Sequence, residues 1–493
     1  MGKERLKEYA AIRGASKSCG KREWGSHIAM SWYGGVPWDK MYFKRWKTAL
    51  YYAYIAGATF IYSEGGHFGI NYLGLNHKFD SPECKRFRKV LREFYHFCQL
   101  HPRPSKGPEV KIAFIQGRFD GNAGHGSRYT WGQFAEGWEH QEPEHSLDYL
   151  DNLFHRERWF SNTLSGDMDF SGNPPFGQYD ILPIEAPLKV LREYTLLVFL
   201  GWNTIAEEDY DKLKSYVRGG GHLVMSLSHL NTNPSRNLEK MKLYNNGDFS
   251  DLFGLIIKGR EKVLKGAGIK FVNNSSLKSY RFPNWTSHCD PKFINGDLHL
   301  AKIELKGAGA LASSSQYFHP LKGERIIPVL TEYKLGRGKA FLITSYDHPG
   351  ARSLSLFMKE LLRDAVIGEI DNYLNVICSD KVSWSIYEEN SLAAIYLLNT
   401  DFDLPQTAKV CFGDLIFPVH IKEAGIRIVH GYKNKLLISP EESDVQIQGI
   451  KEKDNEYLIS LKGEGEKRID IHTGRKPVSL KIKLKGEKLL KIK

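Results

Sequence analysis

This sequence has no Cys-x-x-Cys pair, and its six cysteines (Cys19, Cys84, Cys98, Cys289, Cys378 and Cys411) stand far apart. That spacing argues against a zinc ribbon and against a disulfide framework. No apolar run reaches the roughly 18 residues that a membrane span requires. The opening residues, MGKERLKEYAAIRG, are charged where a secretory signal would be apolar. They predict a cytoplasmic location, or a chain whose original start has been lost. No zinc-finger, helix-turn-helix or RNA-recognition signature occurs, which sets nucleic acid aside as a partner. The segment 118–159 is rich in histidine but has neither HxH nor HExxH, so His125, His140 and His145 read as surface loop residues and not as metal ligands. Nothing in the sequence calls for a cofactor.

The chain has 493 residues, 41% of them hydrophobic. That is too long for one compact core and predicts about three domains. Net charge is +12, and much of it falls in the tail KPVSLKIKLKGEKLLKIK, where lysines alternate with apolar residues. The pattern fits an edge strand kept soluble by lysine. An anionic partner, such as a sulfated or uronic polysaccharide, is the competing reading.

The most informative segment runs from Trp24 to Gly66 and reads strand, helix, strand. The first strand, SHIAMSWY, ends in Ser31-Trp32-Tyr33-Gly34-Gly35; the second, ATFIYSE, ends in Ser63-Glu64-Gly65-Gly66-His67. Both read as buried strands. In parallel α/β folds ligands gather at the carboxyl ends of strands. A carboxylate between glycines, with Trp, Tyr and His at neighbouring strand ends, suits a sugar site. Glu64 is therefore the candidate catalytic carboxylate, with a solvent-facing loop glutamate as its plainer reading. Trp32, Tyr33, Trp38 and His67 are candidate sugar contacts, against a plainer role in packing under loops. Asp39 and Asp80 read as helix-start residues.

Along the chain, residues 1–101 read as consecutive βα units. Ser81 stands at the N-cap and Pro82 at N1 of SPECKRFRKVLREFYHFCQLH. HPRPSKGPE is a Pro-rich linker. Residues 108–370 form a second α/β block, with strands VKIAFIQG and HLVMSLS, a helix TIAEEDYDKLKSYVRGGG and a hairpin PVLTEYKLGRGKAFLITSY turning at Gly-Arg-Gly. SLSLFMKELLRDAVIGEI closes that block as a helix. Residues 373–493 alternate like antiparallel strands and predict a β-sandwich.

This order resembles the C-terminal part of glycoside hydrolases of the family 42 β-galactosidase kind. The resemblance is carried by TLLVFLGWNTIAEEDYDKLKSYVRGGGHLVMS, by VLTEYKLGRGKAFLITSYDHPG and by the helix-linker-strand passage from Ser81 to Gln116. It implies an α/β fold: a partial (β/α) barrel, then a flavodoxin-like domain related to class I glutamine amidotransferases, then an antiparallel β-sandwich. It also implies an oligosaccharide or polysaccharide substrate and an oligomer, such as a trimer. Only two strands precede the linker, whereas a closed barrel has eight. The expectation is thus an N-terminally incomplete barrel, completed by missing sequence, by another copy or by a partner chain. In the resembled enzymes the acid lies near the fourth strand and the nucleophile near the seventh. Here the presumed seventh, SHIAMSWY, carries no carboxylate.

The stretch from Arg118 to Trp159 is dense in glycine, aromatics and acids, and reads as a long functional loop. Asp120, Trp131 and Trp138 are secondary candidates for substrate contact. Amidotransferase chemistry would need a cysteine nucleophile on a sharp strand-to-helix turn. HLVMSLSHLN offers only Ser226 and Ser228 without the G-x-S-x-G frame, so the domain reads as a structural relative. RGGGH (218–222) has neither the GxGxxG nor the P-loop spacing. The leading functional reading is a glycoside hydrolase-like protein acting on a β-galactoside or related glycan. The alternative is a non-catalytic carbohydrate-binding or oligomerisation subunit.

Overall fold

In the computed structural model the described residues are 5–28, 42–63, 81–120, 141–152, 172–174, 176–234, 241–265, 268–271, 297–315, 327–362, 370, 373–454, 456–474 and 476–492. Helix α1 (Arg5–Ser18) leads into strand β1 (Gly25–Ile28), helix α2 (Tyr42–Ala56), strand β2 (Phe60–Ser63) and helix α3 (Pro82–Leu100). β1 and β2 pair in parallel, Gly25 opposite Phe60 and Ile28 opposite Ser63. α2 stops at Gly57, whose φ of 106° suits glycine alone. α3 starts as its sequence predicts, with the Ser81 hydroxyl accepting the Cys84 N–H at 3.2 Å and Pro82 in the first turn. The two helices meet through aromatic edges: Trp46 lies 4.6 Å from Phe87 and Tyr51 4.8 Å from Phe97.

The expectation that both strands are buried is corrected here. Burial alternates along them. Ser26 and Ile28 are covered, while His27, Phe60 and Tyr62 are exposed. Phe60 is 65% exposed and Tyr62 49%. Side chains in a strand point alternately to the two sides, so this parallel pair has one covered and one open face.

The second block is built on an eight-stranded sheet. Its parallel half comprises β3 (Ile112–Gln116), β4 (Tyr179–Pro183), β5 (Leu196–Phe199) and β6 (His222–Ser226), with α4 (Glu142–Leu147) after β3 and α5 (Glu207–Arg218) between β5 and β6. Beyond these come β7 (Gly268–Phe271), β8 (Gly309–Ser315), β9 (Ile327–Leu335) and β10 (Gly338–Ile343). The spatial order is β7-β8-β9-β10-β6-β5-β3-β4, with β10 parallel to β6 and antiparallel to β9. Taken in order of appearance, the five parallel strands β3, β4, β5, β6 and β10 stand in the doubly wound arrangement 2-1-3-4-5. Both faces are covered, which explains the continuous apolar runs IAFI and LLVF: Phe114 and Val198 belong to one core, Ala113, Ile115, Leu197 and Phe199 to the other. The β9–β10 hairpin turns at Gly336, with φ 60°.

α1 lies on β4, and its Leu6 and Ala10 join the core of the central sheet while Tyr9 packs on Trp24 at 5.2 Å. The first unit and the central sheet therefore share a core. The linker is held as well. The Arg103 guanidinium sits 3.7 Å over the Tyr54 ring and donates to the carbonyl oxygens of Tyr54 and Ala58.

The C-terminal part contains a three-stranded sheet and a seven-stranded sheet. Its strands are β11 (Leu374–Ile377), β12 (Val382–Glu389), β13 (Leu392–Asn399), β14 (Gln406–Phe412), β15 (Leu415–Ile421), β16 (Ile426–Tyr432), β17 (Leu436–Pro440), β18 (Gln446–Lys453), β19 (Glu456–His472) and β20 (Val478–Ile492). β11, β14 and β15 face the larger sheet across a core that includes Trp384, Ile395, Val410 and Phe417. β20 pairs only with β19 and exposes Lys481, Lys483, Lys485, Lys488 and Lys491, the lysine-rich edge strand that the tail predicted. No described helix is long and apolar enough to cross a membrane.

Candidate functional site

Two sets of strand ends collect chemistry-bearing residues. At the first, the indole N–H of the fully buried Trp46 donates to the Ser63 hydroxyl at 2.8 Å. This pins the end of β2 to α2. On the open face His27 and Tyr62 lie side by side, ring centroids 5.2 Å apart, with Phe60 on the same face. Such a surface can receive the C–H face of a sugar ring. Trp32, Tyr33, Trp38, Glu64 and His67, which the sequence places just beyond these strands, lie outside the described residues. So do Trp131, Trp138, Asp39, Asp80, His125 and His140.

The second set lies at the carboxyl ends of β3 and β5, where the strand order of the central sheet reverses. Asp120 follows β3 and is half-buried; a Cβ built on Gly201 would come within 2.4 Å of its Oδ2, so a side chain there would displace this carboxylate. The Arg118 backbone N–H donates to Asn203 Oδ1 at 2.9 Å, and Asn203 Nδ2 donates to the His229 carbonyl at 2.7 Å. The Arg118 side chain turns to α5, donating to Asp209 at 2.9 Å and Glu208 at 3.1 Å.

Ser226 ends β6 and Ser228 stands in the turn beyond it. The Ser226 N–H donates to His229 Nδ1 at 3.0 Å, so Nε2 carries the proton and donates to the Gly201 carbonyl at 2.9 Å. Both ring nitrogens are thereby used on the backbone. Burial pushes the His229 pKa down to about 4, and the ring stays neutral. Ser226 has extended backbone (φ −101°, ψ 155°), and its hydroxyl donates to the Asp347 carbonyl at 3.3 Å. A nucleophile elbow would need a sharp turn and a histidine with a free nitrogen. Here Ser226 and His229 fasten the loop.

Sequence reasoning missed the residues that follow β10 at the same end of the sheet. Asp347 and His348 follow β10. Asp347 Oδ1 accepts from His299 Nδ1 at 2.6 Å, while its Oδ2 accepts from the His299 backbone N–H at 3.0 Å and the Ser345 hydroxyl at 2.9 Å. The His299 side chain is 42% exposed. His348 stacks on Trp202 at 5.4 Å, and its backbone N–H donates to Glu142 Oε2 at 3.1 Å. Burial and then the Asp347 charge raise the Glu142 pKa above the ordinary carboxyl value. A histidine oriented by one carboxylate beside a second carboxylate of raised pKa is an arrangement able to move protons. The signal was present: Asp-His a few residues past a buried strand, much the placement that singled out Glu64. Of the histidines expected in a loop, His145 is described and the expectation is corrected: it stands in the last turn of α4, is exposed and lies 3.3 Å from Asp148. Among the described residues no group of His, Cys, Asp and Glu is placed to hold a metal ion.

No family profile matches this chain, and no curated protein matches it. Solved structures do. The β-galactosidase from Bacillus circulans sp. alkalophilus is 14% identical, with 78% of this chain and 51% of that one covered at a TM-score of 0.47. A catalytic mutant of a family 42 β-galactosidase from G. stearothermophilus is 14% identical, with 81% and 52% covered at 0.44. The α-L-fucosidase isoenzyme 2 from Paenibacillus thiaminolyticus is 11% identical, with 90% and 56% covered at 0.42. The chain is similar to these structures, two of them β-galactosidases, and it spans about half their length.

Proposed function

We propose that this protein is glycoside hydrolase-like and acts on a β-galactoside or related glycan, with Glu64 as its catalytic carboxylate. One observation carries the reading: β1 and β2 run parallel, are covered by helix on one side and are open and aromatic on the other. That is how two neighbouring strands of a (β/α) barrel would stand, helices outside and the inner face turned to the barrel axis. Glu64 follows Ser63 in the sequence and has the parity of Phe60 and Tyr62, the aromatic residues of the open face. Trp32, Tyr33, Trp38 and His67 are the proposed sugar contacts, with Asp120, Trp131 and Trp138 as secondary contacts from the central domain. That domain is proposed to be flavodoxin-like, related to class I amidotransferases, and to support the barrel end. The rest of the barrel would come from further sequence, a second copy or a partner chain.

The test is hydrolysis of an aryl β-galactoside by the full chain and by Glu64→Gln, with binding of the same sugar measured alongside. Lost hydrolysis with retained binding supports the enzyme. An inactive wild type that still binds sugar supports the second reading, a non-catalytic carbohydrate-binding or oligomerisation subunit. A specific feature favours that second reading: glycosidases use two carboxylates, yet residues 29–36, which follow β1, contain none.

A further inference from the structure

The C-terminal sandwich carries a cleft of about 450 Å³. That lies within the roughly 300–1,000 Å³ typical of small-molecule sites. Two hairpin tips build it. Asn390 and Ser391 join β12 to β13, and Lys433 and Asn434 join β16 to β17. All four have positive φ (50°, 69°, 47° and 56°), the mirror-image turn in which asparagine is at ease. The Lys433 N–H donates to the Ser391 carbonyl at 3.3 Å, locking one tip to the other. The turn after β14 adds a third anchor, the Gly413 N–H donating to the Tyr373 carbonyl at 2.7 Å.

Tyr373 is the aromatic wall. Its ring is 46% exposed and backed by the buried Phe412, 6.0 Å away, and its hydroxyl donates to Glu388. Such a ring is fixed in place before any ligand arrives. The cations at the cleft already have carboxylates: Lys106 pairs with Glu109, and Lys433 lies 3.6 Å from Glu452. Charge therefore does not favour an anion. What remains is one flat aromatic face with the amides of Asn390 and Asn434 beside it. An amide offers donor and acceptor side by side, as adjacent sugar hydroxyls require.

We propose that this cleft binds a neutral glycan, with Tyr373 as the stacking platform and Glu388, Asn390 and Asn434 as hydroxyl partners. It is a second sugar site, outside the Glu64 region and independent of hydrolysis. The experiment is calorimetric titration of the full chain with β-1,4-galactotetraose, cellotetraose and, as anionic probe, polygalacturonate. Wild type should bind a neutral tetrasaccharide saturably. Tyr373→Ala should weaken that binding roughly tenfold or more. Asn434→Gly, which suits the positive φ and so spares the turn, should weaken it in the same direction with the melting temperature unchanged. No binding of either neutral tetrasaccharide, binding of polygalacturonate alone, or wild-type affinity in both variants would overturn the proposal. Hydrolysis, measured separately, bears only on Glu64.

Discussion

The Arg13 guanidinium of α1 lies 2.6 Å from the Asp180 carboxylate of β4, and both side chains are buried. Lys17 closes on the other carboxylate oxygen at 2.8 Å, and Tyr194 donates to it at 2.6 Å. Arg13 also donates to the Ala56 carbonyl at 2.7 Å and the Tyr179 carbonyl at 2.9 Å, so one side chain ties α1, α2 and β4 together. Burial pushes the Asp180 pKa up, but the Arg13 and Lys17 charges outweigh it and hold the carboxyl below its ordinary value. Asp180→Asn leaves two buried cations without their anion. It should cost about 3–5 kcal/mol in urea unfolding, whereas replacing Asp180, Arg13 and Lys17 together by apolar residues should recover much of that. A neutral single substitution would show that the triad does not hold α1 in place.

Gly14 sets the closeness of the same contact. A Cβ built there would lie 1.9 Å from the Ile181 carbonyl oxygen, which is backbone and cannot swing aside. Gly14→Ala, a gain in helix propensity on an isolated helix, should here destabilise the protein by about 1–3 kcal/mol. Thermal unfolding decides the sign.

Buried histidines give the acid response. Burial lowers the pKa of His229 to about 4 and of His430 to about 3. In the unfolded chain both return to about 6.5. The unfolded state then binds more protons below pH 6.5, so stability is full above that value and falls as pH drops toward 4. Asp180 adds a second loss at lower pH, because a depressed carboxyl contributes stability that disappears only below about pH 3.9. Urea midpoints at pH 7.5, 6.0 and 5.0 should decline in that order. A flat series would mean that these rings take up protons in the folded protein as they do in the unfolded chain.

Local signals made much of this fold legible. Ser81-Pro82 marked the start of α3, the Gly-Arg-Gly turn marked the β9–β10 hairpin, and VKIAFIQG and HLVMSLS read as the strands that β3 and β6 prove to be. Burial of β2 was misjudged, because ATFIYS has the same apolar content whether one face or both are covered. Only the partner elements decide, and here they cover Ser63 but leave Phe60 and Tyr62 open. The attachment of α1 to β4 was invisible for a related reason: Arg13 and Asp180 are 167 positions apart, and nothing local pairs them. The cluster of His299, Asp347 and Glu142 was hidden in the same way, since its members come from three separate segments.

The open face of β1 and β2 makes the last prediction. Phe60 and Tyr62 are large aromatic side chains left to water, and α3 adds Leu91 and Tyr95 among the exposed apolar residues of the same unit. Exposed apolar surface of this kind marks an interaction site or an aggregation hazard. If a second copy or a partner chain covers the face, Phe60→Lys with Tyr62→Glu should abolish concentration-dependent association in light scattering. Because neither side chain is buried within this chain, the melting temperature of the variant, measured dilute, should shift little, in line with surface changes of about 0.5 kcal/mol or less. A wild type that stays monomeric at every concentration, alone and with candidate partner chains, would leave the face without an occupant and remove the case for a barrel completed from outside.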